Sequence, residues 1–182
     1  MTGKVIDAMI GYYAGDILRT NHFLKVYALA KGIGECEGLP EDVQRVLEIA
    51  AVTHDIGIKP SEEKYGSAAG PYQEQEGPPA ARELLEGLEI EETVIERVCY
   101  LIGRHHTYTG IDGLDYQILV EADFLVNLHE GECDISTVRS VREKLFRTAA
   151  GLRYLDQMFL SWPFQIIQKS GPFSPVSGVT AG

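Results

Sequence analysis

Where an apolar helix face should continue, this chain repeatedly places an imidazole or a carboxylate instead. The densest case is His54-Asp55, inside the string Ala-Ala-Val-Thr-His-Asp-Ile-Gly-Ile-Lys that ends at Lys59. Burying such a pair costs on the order of several kcal/mol unless the groups are matched to each other or to a cation. His22 precedes the stripe Val26, Leu29, Ile33, and His54 continues the stripe Val43, Leu47, Ala50. Asp123 falls among Tyr116, Leu119 and Val126, and two adjacent stripes, Val94-Val98-Leu101 and Ile95-Cys99-Ile102, run on into His105 and His106. Helical periodicity therefore turns all of these groups inward. Imidazole and carboxylate donors without thiolate suit a divalent transition metal: Fe, Mn, Co, Ni or Zn. Such an ion generates hydroxide near neutral pH and polarises a phosphoryl oxygen.

The elements that would hold these donors are all helical. Periodicity, caps and breakers predict helices over 2–15, 17–32, 40–57, 78–86, 90–104, 114–129, 135–149 and 151–160. Asp16 is the expected N-cap of the second, with Gly32 and Gly34 as its stop signals. Pro40, Glu41 and Asp42 open the third as proline and anions should. Residues 59–77, rich in Gly, Pro and polar side chains, read as a loop with one short helical turn, of a length that is usually functional or mobile. Pro78-Pro79 is expected to start the helix that follows. The expected fold class is all-α, a bundle of about seven or eight helices. Residues 1–160 form one domain in this reading, and 161–182 an irregular C-terminal tail. Trp162, Phe164, Ile166 and Ile167 in that tail could pack back on the bundle or form a homodimer contact.

Bulk properties narrow the partners. With 182 residues, 45% of them hydrophobic, the chain can bury a sizeable core. A formal net charge of −11 disfavours a nucleic-acid polymer or an acidic membrane, because it repels their phosphates. A small phosphorylated substrate stays open, since bound cations invert the potential inside one pocket. Cys36, Cys99 and Cys133 are odd in number and widely spaced, which fits reduced thiols in a cytoplasmic protein. No secretory leader or membrane-spanning run is expected.

The order His22, His54-Asp55, Asp123, with the string His-Asp-Ile-Gly and a lysine close behind, resembles the HD superfamily of metal-dependent phosphohydrolases and its H…HD…D signature. The likeness covers about residues 17–130, with 32 residues from His22 to His54 and 68 from Asp55 to Asp123. It implies an HD-domain-like bundle in which His22, His54, Asp55 and Asp123 hold a first metal. In dinuclear members the HD aspartate bridges to a second ion, held by a helix-start residue and a later His-His pair. Here those positions are matched by Glu76 and by His105 with His106. Glutamate differs from the family's histidine, and an acidic residue before a helix also serves that helix alone. His105 and His106 end a helix, where the dipole favours imidazole in any case.

The family's lysine directly follows His-Asp-Ile-Gly, whereas Ile58 intervenes here before Lys59. No Gly-Tyr-Pro follows the His pair, which points away from the cyclic-dinucleotide branch. The reading is a metal-dependent phosphohydrolase, a phosphomonoesterase or phosphodiesterase, acting on a small phosphate ester such as a nucleotide. Asp55 and His105 are the expected catalytic groups, and Lys59 and Arg104 the groups that offset phosphate charge. Tyr65, Tyr72 and Tyr108 are either solvent-facing or placed to stack on a base. The competing classes are a non-catalytic metal- or nucleotide-binding regulatory module and a metal-free helical scaffold.

Overall fold

Residues 1–161 are described in a computed structural model of the chain, and among them there is no strand. The expected all-α class holds, with nine α-helices and a closing π-helical turn. They are α1 (Thr2–Tyr12), α2 (Ile17–Glu37), α3 (Glu41–Thr53), α4 (Ile58–Tyr65), α5 (Gly70–Gly87), α6 (Glu92–Ile102), α7 (Leu114–Glu130), α8 (Ile135–Leu145), α9 (Ala149–Leu155) and the turn Asp156–Leu160. The tail contacts expected of Trp162, Phe164, Ile166 and Ile167 lie outside the described residues. No described helix is long and apolar enough to cross a membrane.

Helix α3 is the hub, packed by α1, α2, α6 and α7. Val46 through Thr53 are all buried, so its second half has no solvent face. That burial needs apolar neighbours on every side, supplied by Ile33 of α2, Leu101 and Ile102 of α6, and Ile118, Leu119 and Leu125 of α7. Glu121 is also fully buried in α7. Its carboxylate accepts from the backbone N–H groups of Arg147 and Thr148, the Thr148 hydroxyl and the Gln117 amide. A buried acceptor thus meets four donors, and the start of α9 is tied to α7.

Two sequence expectations fail for physical reasons. Gly32 and Gly34 do not stop α2, which begins with the Asp16 carboxylate accepting from Arg19 N–H and runs to Gly38 in the left-handed conformation. The glycines serve close approach instead. A Cβ on Gly34 would stand 2.2 Å from Gln44 Oε1 and 3.1 Å from Leu47, both on α3. The second failure is larger: residues 59–77 form α4 and the first half of α5, with only 66–69 as connection. Pro60 is the third residue of α4 and Pro71 the second of α5, where the missing N–H has no intrahelical partner to lose. Pro78 and Pro79 lie inside α5 rather than at its start. Pro78 leaves the Glu74 carbonyl without its usual donor, and α6 covers this stretch, Cys99 donating its thiol to the Pro78 carbonyl.

Candidate metal centre

The end of α3 delivers His54, wholly buried, into the turn that precedes α4. His54 Nδ1 lies 2.9 Å from the Ala51 carbonyl oxygen, and His105 Nδ1 lies 2.7 Å from that of Ile102. A carbonyl only accepts, so in both rings Nδ1 donates and Nε2 is the atom turned toward the cluster. His22 Nδ1 is matched differently, 2.8 Å from Glu130 Oε2, and Glu130 also accepts from Lys25 at 2.9 Å.

These Nε2 atoms converge. His22 Nε2 is 3.3 Å from His54 Nε2, 3.2 Å from Asp123 Oδ1 and 3.4 Å from Asp55 Oδ2. His54 Nε2 stands 3.5 Å from Asp123 Oδ1 and 3.4 Å from Asp55 Oδ2. Donors about 2.1 Å from a common ion at tetrahedral angles would stand ~3.4 Å apart. Asp55 divides its carboxylate: Oδ2 faces His22 and His54, while Oδ1 lies 3.6 Å from His105 Nε2. Two groups of three donors result, His22-His54-Asp123 and Asp55-His105-His106, each with ligand atoms within 4.8 Å of one another. Nε2 of His105 and of His106 are buried without a hydrogen-bond partner. Such orphaned nitrogens fit a cation.

Burial would push the His54 imidazole down, yet the Asp55 charge and the Asp123 hydrogen bond hold it well above its ordinary value. Against a similar burial, Asp123, Asp55 and Glu130 keep His22 raised. Burial would likewise raise Asp55 and Asp123, but the facing histidines hold both well below the usual carboxylate range. The metal-free cluster therefore keeps its carboxylates charged and holds protons that an arriving cation would displace. His106 differs. Burial and the neighbouring His105 push it down to about 4, leaving its Nε2 free to donate a lone pair at neutral pH.

A cavity of about 320 Å³ opens beside the first donor group, lined among others by Leu18, Arg19, Gln73, Asn127 and Glu130. Two larger apolar grooves, of about 530 and 570 Å³, lie away from both donor groups.

The structure brings His22, His54, Asp55, Asp123, His105 and His106 together and leaves three expected residues outside. Glu76, in mid-α5, turns toward α4, where Lys64 Nζ at 2.7 Å and the Tyr65 hydroxyl at 2.8 Å occupy its carboxylate. Lys59 reaches toward α1, 3.4 Å from the Tyr12 carbonyl oxygen and 5.0 Å above its ring. Arg104 lies 4.9 Å over the Tyr100 ring. Of the tyrosines, Tyr65 stacks on Tyr72 with centroids 4.3 Å apart, and Tyr108 meets Phe124 edge to face.

Sequence reasoning missed Arg19, Gln73 and Glu130. Arg19 stands three residues before His22 and Glu130 seven after Asp123, so helical spacing could have found both. Gln73 sat in the stretch read as loop, where no face could be assigned.

The all-helical bundle thus carries two adjoining His/Asp groups that could hold a metal ion. A family model, the HD domain, matches residues 19–139, and the chain belongs to that family of metal-dependent hydrolases. A solved structure, described as a predicted HD superfamily hydrolase from an uncultured Thermotogales bacterium, is similar in fold. It is 21% identical with a TM-score of 0.64, over 92% of this chain and 89% of that one. Comparison with curated proteins gave no match.

Proposed function

We propose that the chain is a metal-dependent phosphohydrolase of small phosphate esters, with nucleotides the first class to test. One observation carries the reading: Asp55 turns one oxygen to each of two donor groups beside a polar cavity. His22, His54 and Asp123 would hold a first ion, and His105 with His106 a second, with Asp55 facing both groups. Bound divalent ions supply Lewis acidity and a water acidic enough to attack near neutral pH. The Asp55 carboxylate orients that nucleophile. Arg19, now bridged to Glu62 at 2.6 Å and to Asp16 at 3.3 Å, is the cation lining the cavity and takes the charge-offsetting role expected of Lys59 and Arg104. A cavity of this size accommodates a phosphate ester of modest bulk.

The test is a substrate screen with protein loaded in turn with Mn²⁺, Co²⁺, Fe²⁺ or Zn²⁺. Hydrolysis of a phosphomonoester, a nucleotide or a phosphodiester, read as free phosphate for the first and as new monoester and alcohol for the last, is the expected result. Retained metal and tight nucleotide binding without turnover would select the regulatory module instead.

Glu130 adds a separate prediction. Its hydrogen bond to Nδ1 fixes the His22 ring and keeps electron density on Nε2, the role a carboxylate plays behind a ligating imidazole. Glu130→Gln is expected to weaken the first ion about tenfold, toward the lower end of such losses. Competition against a chromophoric chelator reads this directly. An unchanged affinity removes Glu130 from the metal's support.

A further inference from the structure

The amide of Gln73 is 7% exposed and has one end that nothing in the protein satisfies. Its Nε2 donates to the Ala68 carbonyl oxygen at 2.8 Å. A carbonyl cannot donate, so the amide cannot be flipped, and Oε1 must face the other way. Oε1 is buried there without a donor. Leaving a buried acceptor in that state is unfavourable, so a donor or a cation is called for there.

The face of α5 that carries Gln73 shows what lies opposite. Three residues earlier, a Cβ on Gly70 would stand 3.0 Å from the His106 ring. Four residues later, a Cβ on Gly77 would stand 2.6 Å from the side chain of Ile102, whose carbonyl holds His105 Nδ1. Gln73 also shares the cavity with Asp55. The amide thus sits on the helix face bounded by His106, the end of α6 and the HD turn. His105 Nε2, His106 Nε2 and Gln73 Oε1 are each buried without a hydrogen-bond partner, and Asp55 links them, grouped with both histidines and lining one cavity with Gln73. Two ring nitrogens and one amide oxygen are thus left without a partner. A divalent cation satisfies all three.

We infer that Gln73, through its amide oxygen, is a donor to the second ion alongside Asp55, His105 and His106. The position expected of Glu76 is filled one helical turn earlier, and by a neutral group. This rests on the proposal that the second donor group takes a cation, and it adds a ligand that lowers the site's net negative charge relative to a carboxylate. A neutral oxygen donor keeps the second ion weaker than the first, so the two should fill in order.

The test titrates metal-stripped full-length protein with Mn²⁺ alone by calorimetry, with no substrate present. The wild-type chain is expected to bind two ions with separable affinities. Gln73→Leu, similar in bulk but without the oxygen, should weaken the second ion at least about tenfold and leave the first unchanged. Gln73→Glu restores an oxygen with charge and should tighten the second ion beyond wild type. His106→Ala serves as comparator and should affect the second ion only. A wild type binding one ion, a Gln73→Leu binding both with unchanged affinity, or Leu and Glu variants shifting alike each overturns the inference. A fall in both ions together with the melting temperature marks Gln73 as structural and overturns it too. Failure of the phosphohydrolase reading appears elsewhere, as two bound ions without turnover on any phosphate ester.

Discussion

Asp55→Ala is expected to empty both donor groups at once. The other candidate ligands divide between the two groups: His22, His54 and Asp123 belong to one, His105 and His106 to the other. Asp55 alone faces both, with Oδ2 3.4 Å from His22 and His54 and Oδ1 3.6 Å from His105. Its removal takes away a charge as well as two donor atoms, leaving the first ion on two imidazoles and one carboxylate. Loss of an outer partner typically costs 10–100-fold in affinity, so loss of a bridging carboxylate should exceed about 100-fold. Hydrolysis should fall to background with it.

The fold itself should persist. The Asp55 backbone keeps its contact, because the Tyr13 hydroxyl donates to the Asp55 carbonyl at 2.6 Å. Asp55→Asn separates charge from shape: it retains the side-chain outline and one oxygen, and should hold a single weakened ion. Elemental analysis of chelator-free preparations measures both variants. Undiminished metal in Asp55→Ala sinks the shared-ligand reading, whatever the activity shows.

The clustering of these histidines and aspartates was legible in the sequence because each interrupts an apolar stripe. His22 before Val26 and His54 after Ala50 could be placed inward from period alone, and the structure turns both to one point. Asp123 is 6% exposed, as its neighbours Leu119 and Val126 required. The supporting groups were less legible, for a definite reason. A stretch such as 59–77 carries its helical information in the packing of α4 on α5 and of α5 on α6, while its composition argues for loop. Misreading it cost the face of α5, and with it both the turn of Glu76 toward Lys64 and Tyr65 and the place of Gln73 in the cavity wall. Lys59 and Arg104 failed for another reason: a long cationic side chain goes where an aromatic face or an acceptor is offered. Tyr12 and Tyr100 offered these away from the cavity.

Gly57→Ala should show how tightly the centre depends on that helix. Gly57 has φ −69° and ψ −15°, a conformation alanine adopts freely, so no backbone strain is involved. The demand is for space. A Cβ there would stand 2.6 Å from the Gln73 carbonyl oxygen, 2.8 Å from Gly77 N and 2.9 Å from Gly77 Cα. All three are backbone atoms of α5, which cannot rotate aside as a side chain could, so the helix must back away from the HD turn. Overpacking of this kind costs about 1–3 kcal/mol, which for a chain of this size lowers Tm by roughly 2–12 °C. The retreat would also carry Gln73 and Gly70 away from His106, so binding of the second ion should weaken more than that of the first. Gly87→Ala, at the far end of the same helix with nothing within 4 Å, provides the comparison and should leave Tm unchanged or slightly raised. Thermal melts of the two variants, with and without Mn²⁺, decide the matter. A Gly57→Ala protein that melts with the wild type and binds both ions normally would mean that α5 approaches the HD turn less closely than these distances require.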